Sequence, residues 1–254
     1  MFSLHGQHAL IVGIANQDSI AWGCAQALHQ QGARLAITWL NDKAEAHVRP
    51  LAESLGAELM MPLDVTQPGQ LEAVFQAIGA RWGRLDTLLH SIAFAPKADL
   101  HGRVVDCSAE GFAQAMDVSV HSFLRMIRLA EPLMATGGTC MAVSFLGAQR
   151  VVPRYSLMGP VKAALECAVR YAAVELGAKG IRVHALSPGP MPTRAASGID
   201  QFETLLEAAR QHAPTHQLAS LADVGALAAF LASPAARNLT GGVYDIDGGF
   251  SLIA

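Results

Sequence analysis

Short apolar runs alternate along the chain with longer stretches in which apolar positions recur at helical spacing. The runs His8–Gly13, Arg34–Trp39, Leu59–Val65, Thr87–Ala93, Thr139–Phe145, Arg182–Ser187 and Val243–Ile246 predict strands. Several are apolar on both faces, as strands covered by helices on each side must be. Between them, helical patterns cover residues 19–31, 42–55, 69–82, 109–134, 155–178, 201–212 and 221–232. Such alternation builds βαβ units and so a parallel sheet. Right-handed crossovers then distribute the helices over both faces. No linker, repeat or low-complexity segment interrupts the pattern. The expectation is an α/β fold: one doubly wound domain, residues 1–254, on a seven-stranded parallel sheet.

Composition narrows the classes that remain. Apolar types make up 52% of the 254 residues and charged types 15%, the reverse of the balance that keeps a chain disordered. The longest apolar stretches, such as Ala9–Ala15 and Val224–Ala232, fall well short of the ~20 residues that cross a bilayer. Eighteen basic side chains stand against 21 acidic ones. That leaves no basic excess for nucleic acid or an anionic membrane. Cys24, Cys107, Cys140 and Cys167 are scattered without a Cys-x-x-Cys pair. The start of the chain, Met1 to His5, has neither a basic nor a long apolar region, so no signal peptide is expected. These features predict a reduced cytoplasmic protein. His212 and His216 lie four apart, but Pro214 between them weakens a helical metal site, and no metal is expected.

In a doubly wound sheet, ligands bind beyond the carboxyl ends of the strands. The residues just after each strand therefore carry the information. Gly13 follows the first strand and permits a tight turn, and Ser19 is placed to cap the next helix. Free N–H groups there would suit a pyrophosphate. The spacing is not Gly-x-Gly-x-x-Gly, however, and an ordinary strand-to-helix turn explains it equally well. Asp64–Val65 could meet an adenine, or Asp64 could simply cap the turn before Pro68. The small residues of His90–Pro96 allow a flat ring to approach, though they also merely pack. Tyr155 and Lys162 lie seven apart. On one helix that spacing puts both on one face, ~10 Å apart, where they could line one cleft. A half-buried Tyr and a solvated Lys would fit the same spacing.

At these residues the chain resembles the short-chain dehydrogenase/reductase superfamily, with its Rossmann-type fold. More closely it resembles the bacterial enoyl-acyl-carrier-protein reductases. The resemblance runs nearly end to end. It rests on the Gly13 loop with Ser19–Ile20–Ala21, Leu63–Asp64–Val65, His90–Pro96, Phe145–Ala148, Tyr155 with Met158 and Lys162, Ser187–Pro190, Ala195–Ile199 and Asp247–Phe250. Most of the superfamily places Lys four residues after Tyr. Here that position is Gly159 and the lysine comes at seven, as in the enoyl reductases.

The resemblance implies hydride transfer from NADH to the β-carbon of a trans-2-enoyl thioester. It implies Tyr155 as the hydrogen-bond donor to the thioester oxygen and Lys162 as the group that holds the nicotinamide ribose. Gly13, Ser19, Ile20, Asp64, Val65, Ser91, Ile92, Met191, Thr193 and Ala195 would surround the cofactor. Ala95, Tyr155 and Met158 would meet the substrate. Residues 191–212 or so would form a helical lid, and relatives form homotetramers through helices corresponding to 109–134 and 155–178.

Three departures stand out. Phe145 occupies a catalytic-site position where bacterial members usually carry a second tyrosine, although the mycobacterial branch also has phenylalanine in this region. Leu40 follows the second strand where a polar or basic residue normally meets the adenosine ribose. No Arg pair follows it, which favours NADH over NADPH, with Lys43 leaving NADPH open. The lid helix carries Asp200, Glu203 and Glu207 where the family often has bases. An acidic acyl-carrier protein is the expected partner, with a CoA thioester or a dedicated carrier as the alternative.

Overall fold

The computed structural model describes residues 2–193 and 202–253. Among the described residues the strands form one parallel sheet of seven. They are β1 (His8–Val12), β2 (Arg34–Trp39), β3 (Leu59–Pro62), β4 (Thr87–His90), β5 (Gly138–Val143), β6 (Ile181–Pro188) and β7 (Val243–Ile246), in the order β3-β2-β1-β4-β5-β6-β7. The order reverses between β1 and β4, which pair Ala9 with Thr87 through Val12 with His90. Every residue of β1 and β4 is buried, as their unbroken apolar runs predict, while the edge strands β3 and β7 are partly exposed.

Helices cover both faces. On one side α1 (Ile20–Gln30), α2 (Asp42–Ser54) and α9 (Leu221–Ala232) enclose a core with Leu28, Val48 and Val224 fully buried. On the other side α3 (Gln70–Trp82), α5 (Ala109–Met116), α6 (Ser122–Ala130) and α7 (Met158–Leu176) enclose a core around Ile78, Phe123 and Leu165. A short α4 (Lys97–Leu100) and the helix α8 (Phe202–His212) stand at the carboxyl end of the sheet. No helix among the described residues is long and apolar enough to cross a membrane.

Two predicted helices and several predicted strands differ. The expected helix over 109–134 is interrupted by a π-turn at Asp117–His121 and ends in a 3-10 turn at Glu131–Leu133, with Pro132 inside it. The expected helix over 155–178 begins only at Met158, because Arg154 and Ser156 both hold left-handed backbone, with φ of 63° and 44°. Several strands are shorter than their apolar runs. β1 stops where Gly13 turns with φ of 108°, and β4 then loses its neighbour and stops at His90. Beyond β3, Asp64 Oδ1 accepts from the Thr66 N–H and hydroxyl and turns the chain.

Candidate active site

A cavity of about 310 Å3 opens beyond the carboxyl ends of β1, β4, β5 and β6. Ile20, Ser91, Ile92, Ala95, Phe145, Tyr155, Met158, Lys162, Met191 and Thr193 line it. Each of these was expected at the site from the sequence. Gly13, Ser19, Asp64 and Val65 do not line the cavity, and Ala195 lies outside the described residues, as does Asp200 of the acidic helix.

Lys162 sits in the first turns of α7 with only 4% exposure. Its Nζ donates to the Val143 carbonyl at the end of β5, at 2.6 Å. Burial pulls its pKa down to about 8, and the charge of Glu166 works against that fall. The ammonium is thus charged at neutral pH and loses its proton in mildly alkaline solution. Tyr155 does not share a helix face with Lys162, contrary to the spacing argument. It precedes α7 and is brought to the cavity by the loop whose left-handed residues flank it. Burial pushes its hydroxyl pKa up, so it stays a neutral donor. Its ring lies against Gly147, where a Cβ would come within 2.3 Å of Tyr155 Cδ1, and against the Phe145 ring at a centroid distance of 4.8 Å. Phe145 therefore packs the tyrosine in place but offers no donor of its own. A neutral hydroxyl and an ammonium share one mostly apolar cavity. That pairing suits negative charge developing on an oxygen.

The loop after β1 behaves differently from the prediction. Ser19 stands at the start of α1, yet its side chain does not cap the helix. Its Oγ accepts from the N–H groups of Ala15 and Asn16 and donates to Asn16 Oδ1, so it shapes the loop instead. Gly13 touches β4. A Cβ there would lie 2.1 Å from the Ser91 carbonyl oxygen. Asp64 Oδ1 is engaged in its own turn, and the Val65 carbonyl accepts from Arg125 at 3.0 Å.

Sequence reasoning passed over three polar groups beneath the cavity. On the π-turn, Ser119 Oγ accepts from the Phe94 N–H at 3.0 Å and donates back to the Phe94 carbonyl at 3.3 Å, which clamps the residue next to Ala95. His90 Nε2 meets Ser122 Oγ at 2.7 Å, and burial pushes this imidazole down to about 3, so it is neutral. Glu166 is buried and accepts from Ser144 Oγ at 2.6 Å. Helical periodicity gives no warning of a polar residue held inward by a π-turn, but a charged residue on the Lys162 face of α7 was a usable signal. Among the described residues, no three His, Cys, Asp or Glu side chains are grouped to hold a metal ion.

Comparison with known proteins agrees with this geometry. The family model described as enoyl-(acyl carrier protein) reductase matches residues 13–251. The NADH-dependent enoyl-[acyl-carrier-protein] reductase 1 of Rhizobium meliloti is 42% identical over 250 residues, covering 98% of this chain and 92% of that protein. Among solved structures, the Anaplasma phagocytophilum enoyl-(acyl-carrier-protein) reductase in complex with NAD has a TM-score of 0.95 at 41% identity, covering 100% of this chain and 97% of that one. The Bacillus cereus enoyl-acyl carrier protein reductase with NADP+ and indole naphthyridinone has a TM-score of 0.97 at 39% identity, with 100% of both chains covered. With its sheet order, its Tyr155–Lys162 cavity and these full-length matches, the chain belongs to the enoyl-(acyl carrier protein) reductase family.

Proposed function

We propose that this chain reduces the trans-2 double bond of an enoyl thioester in fatty-acid elongation, with NADH as the electron source. The observation that carries the reading is the convergence of Tyr155 and Lys162 on one cavity. The residues present fit a nicotinamide dinucleotide. Lys162 has three donors, and with one on the Val143 carbonyl, two are left for ribose hydroxyls. Ile20, Ser91, Ile92, Met191 and Thr193 would flank the cofactor within the cavity. Gly13, Ser19, Asp64 and Val65 would border its more distant parts, and we extend the same role to Ala195. A reduced nicotinamide bound there supplies hydride to the β-carbon of the substrate.

The protein's own part is electrostatic. As charge moves to the thioester oxygen, the Tyr155 hydroxyl donates to it, and the Lys162 ammonium adds positive charge in a dry site. Phe145 keeps the Tyr155 ring from turning away. Ala95 and Met158 line the path of the acyl chain. The helix α8 serves as the lid of a single catalytic domain: its buried Phe202 reaches the cavity, while Leu206 and Ala209 pack beneath.

The direct test is a panel of enoyl thioesters of several chain lengths with NADH and with NADPH. NADH oxidation with the carrier-bound substrates is expected, and its absence at every chain length would overturn the reading. NADH should be preferred, since the end of β2 offers exposed Leu40 and then Asp42 to a 2′-phosphate, with Lys43 beside it working against that preference. A second reading, a CoA thioester or a dedicated carrier, is favoured by the outer face of α8. There Glu203 and Glu207 are exposed, and Arg210 is already paired with Glu207 at 2.9 Å. An acidic carrier would meet like charge on that face. A carrier preference of tenfold or more over the matching CoA substrate, about 1.4 kcal/mol, would count against it.

The same reading places the enzyme in the cytoplasm, in keeping with four free thiols. It also assembles it as a homotetramer. Cys167, Tyr171 and Val174 form an exposed stripe along α7, with Tyr171 at 69% and Val174 at 84% exposure. Light scattering is expected to give four chain masses, and Val174→Glu to give a smaller species. A wild-type monomer would remove the tetramer from this proposal.

A further inference from the structure

We propose that Glu166 is a positioning residue for Lys162: a buried carboxylate, one turn further along α7, that holds the ammonium in its charged donor form. The proposal rests on the reading of Lys162 as a cofactor- and substrate-facing group.

The geometry links two consecutive residues of one strand end to two residues of one helix face. Val143 accepts from Lys162 Nζ at 2.6 Å, and the next residue, Ser144, donates its hydroxyl to Glu166 Oε1 at 2.6 Å. Gln149 Nε2 donates to the other oxygen, Oε2, at 3.4 Å. Lys162 and Glu166 are each 4% exposed and lie four apart on α7, where side chains share a face. A carboxylate buried this deeply is costly unless it is hydrogen-bonded and faces a positive charge. Two neutral donors satisfy its oxygens, yet a neutral amide could also accept from Ser144. What only the carboxylate adds is charge. Among the described residues, the titratable groups around Lys162 are Glu166 on its own helix, His90 at the end of β4 and Tyr155 from the preceding loop. His90 is neutral down to about pH 3, and Tyr155 keeps its proton above the usual tyrosine range. Glu166 is therefore the anion that opposes the effect of burial on Lys162.

The chain has four lysines, Lys43, Lys97, Lys162 and Lys179, so carbon-13 lysine spectra carry few signals and Lys162 can be followed directly. The experiment compares wild type, Glu166→Gln and Glu166→Asp by two readouts: the titration midpoint of Lys162, and kcat/KM against pH with NADH and an enoyl thioester. In Glu166→Gln the midpoint is expected to fall by about one pH unit or more, and the alkaline limb of kcat/KM to move with it. At about pH 6, where the lysine is still charged, activity should stay within about threefold of wild type. Glu166→Asp keeps the charge but draws it back along the helix face, so it should shift both readouts the same way by less. It decides the matter if Glu166→Gln does not fold. A Lys162 midpoint that stays put in a folded variant would overturn the proposal and reduce Glu166 to a packing role. A midpoint that moves while the kcat/KM limb stays fixed would overturn the assignment of Lys162 itself, and this proposal with it.

Discussion

Replacing Tyr155 by phenylalanine is expected to lower kcat by about tenfold to a hundredfold while NADH affinity stays near wild type. The ring survives, so its contacts with Phe145 and Gly147 survive too. What is lost is one hydroxyl donor in a buried site. A hydrogen bond to a charged partner is worth ~1.5–3 kcal/mol, or roughly a tenfold to 150-fold rate effect. The wild-type hydroxyl is protonated throughout the working range, because burial raises its pKa. The loss should therefore be nearly independent of pH between neutrality and mild alkali, unlike the Glu166 effect. Steady-state kinetics with one enoyl thioester, together with NADH binding by fluorescence, would check it. Unchanged turnover would remove Tyr155 from the donor role, and no tyrosine at position 145 exists to take it over.

The second large effect is expected at Gly13, which never touches the cavity. Gly13→Ala puts a methyl group 2.1 Å from the Ser91 carbonyl oxygen, on a backbone with φ of 108° that side chains rarely adopt. Strain of this type costs ~1–3 kcal/mol at one residue. The clash adds to it, because the Ser91 N–H donates to the Val12 carbonyl at 2.9 Å and holds the two strands at this spacing. The chain can relieve it only by parting β1 from β4, and Ser91 and Ile92 line the cavity. The unfolding midpoint should drop by several degrees, and NADH affinity should weaken by about tenfold or more, ~1.4 kcal/mol. Thermal unfolding and an NADH titration measure the two. Wild-type values in both would mean that the turn after β1 yields freely, against the contact described.

The sheet was legible because its central strands are apolar on both faces, a pattern that few other structures produce. Lys162 and Tyr155 were legible as a pair, but not for the reason their spacing offers. The helical geometry fails at Arg154 and Ser156, whose left-handed backbone has no signature in those residue types. Ser19 shows the converse. Its residue type and place predict a cap, yet the loop before it takes the hydroxyl. Glu166 was hidden among the alternating charges of α7, where Arg170 and Glu175 do face solvent. Its place on the Lys162 face was a usable signal, but its partner Ser144, twenty-two residues earlier, left no local trace.

The π-turn at Asp117–His121 makes the site sensitive to the length of the chain here. A π-turn closes over i to i+5 and so takes in one residue more than the α-helical turn it replaces. Removing one residue from this stretch would let α5 and α6 join as a continuous helix, and α5 would rotate by about 100° relative to α6. The hold of Ser119 on Phe94 would go with it. The hold of the helix on the substrate loop thus depends on the number of residues in this turn as well as on their identity.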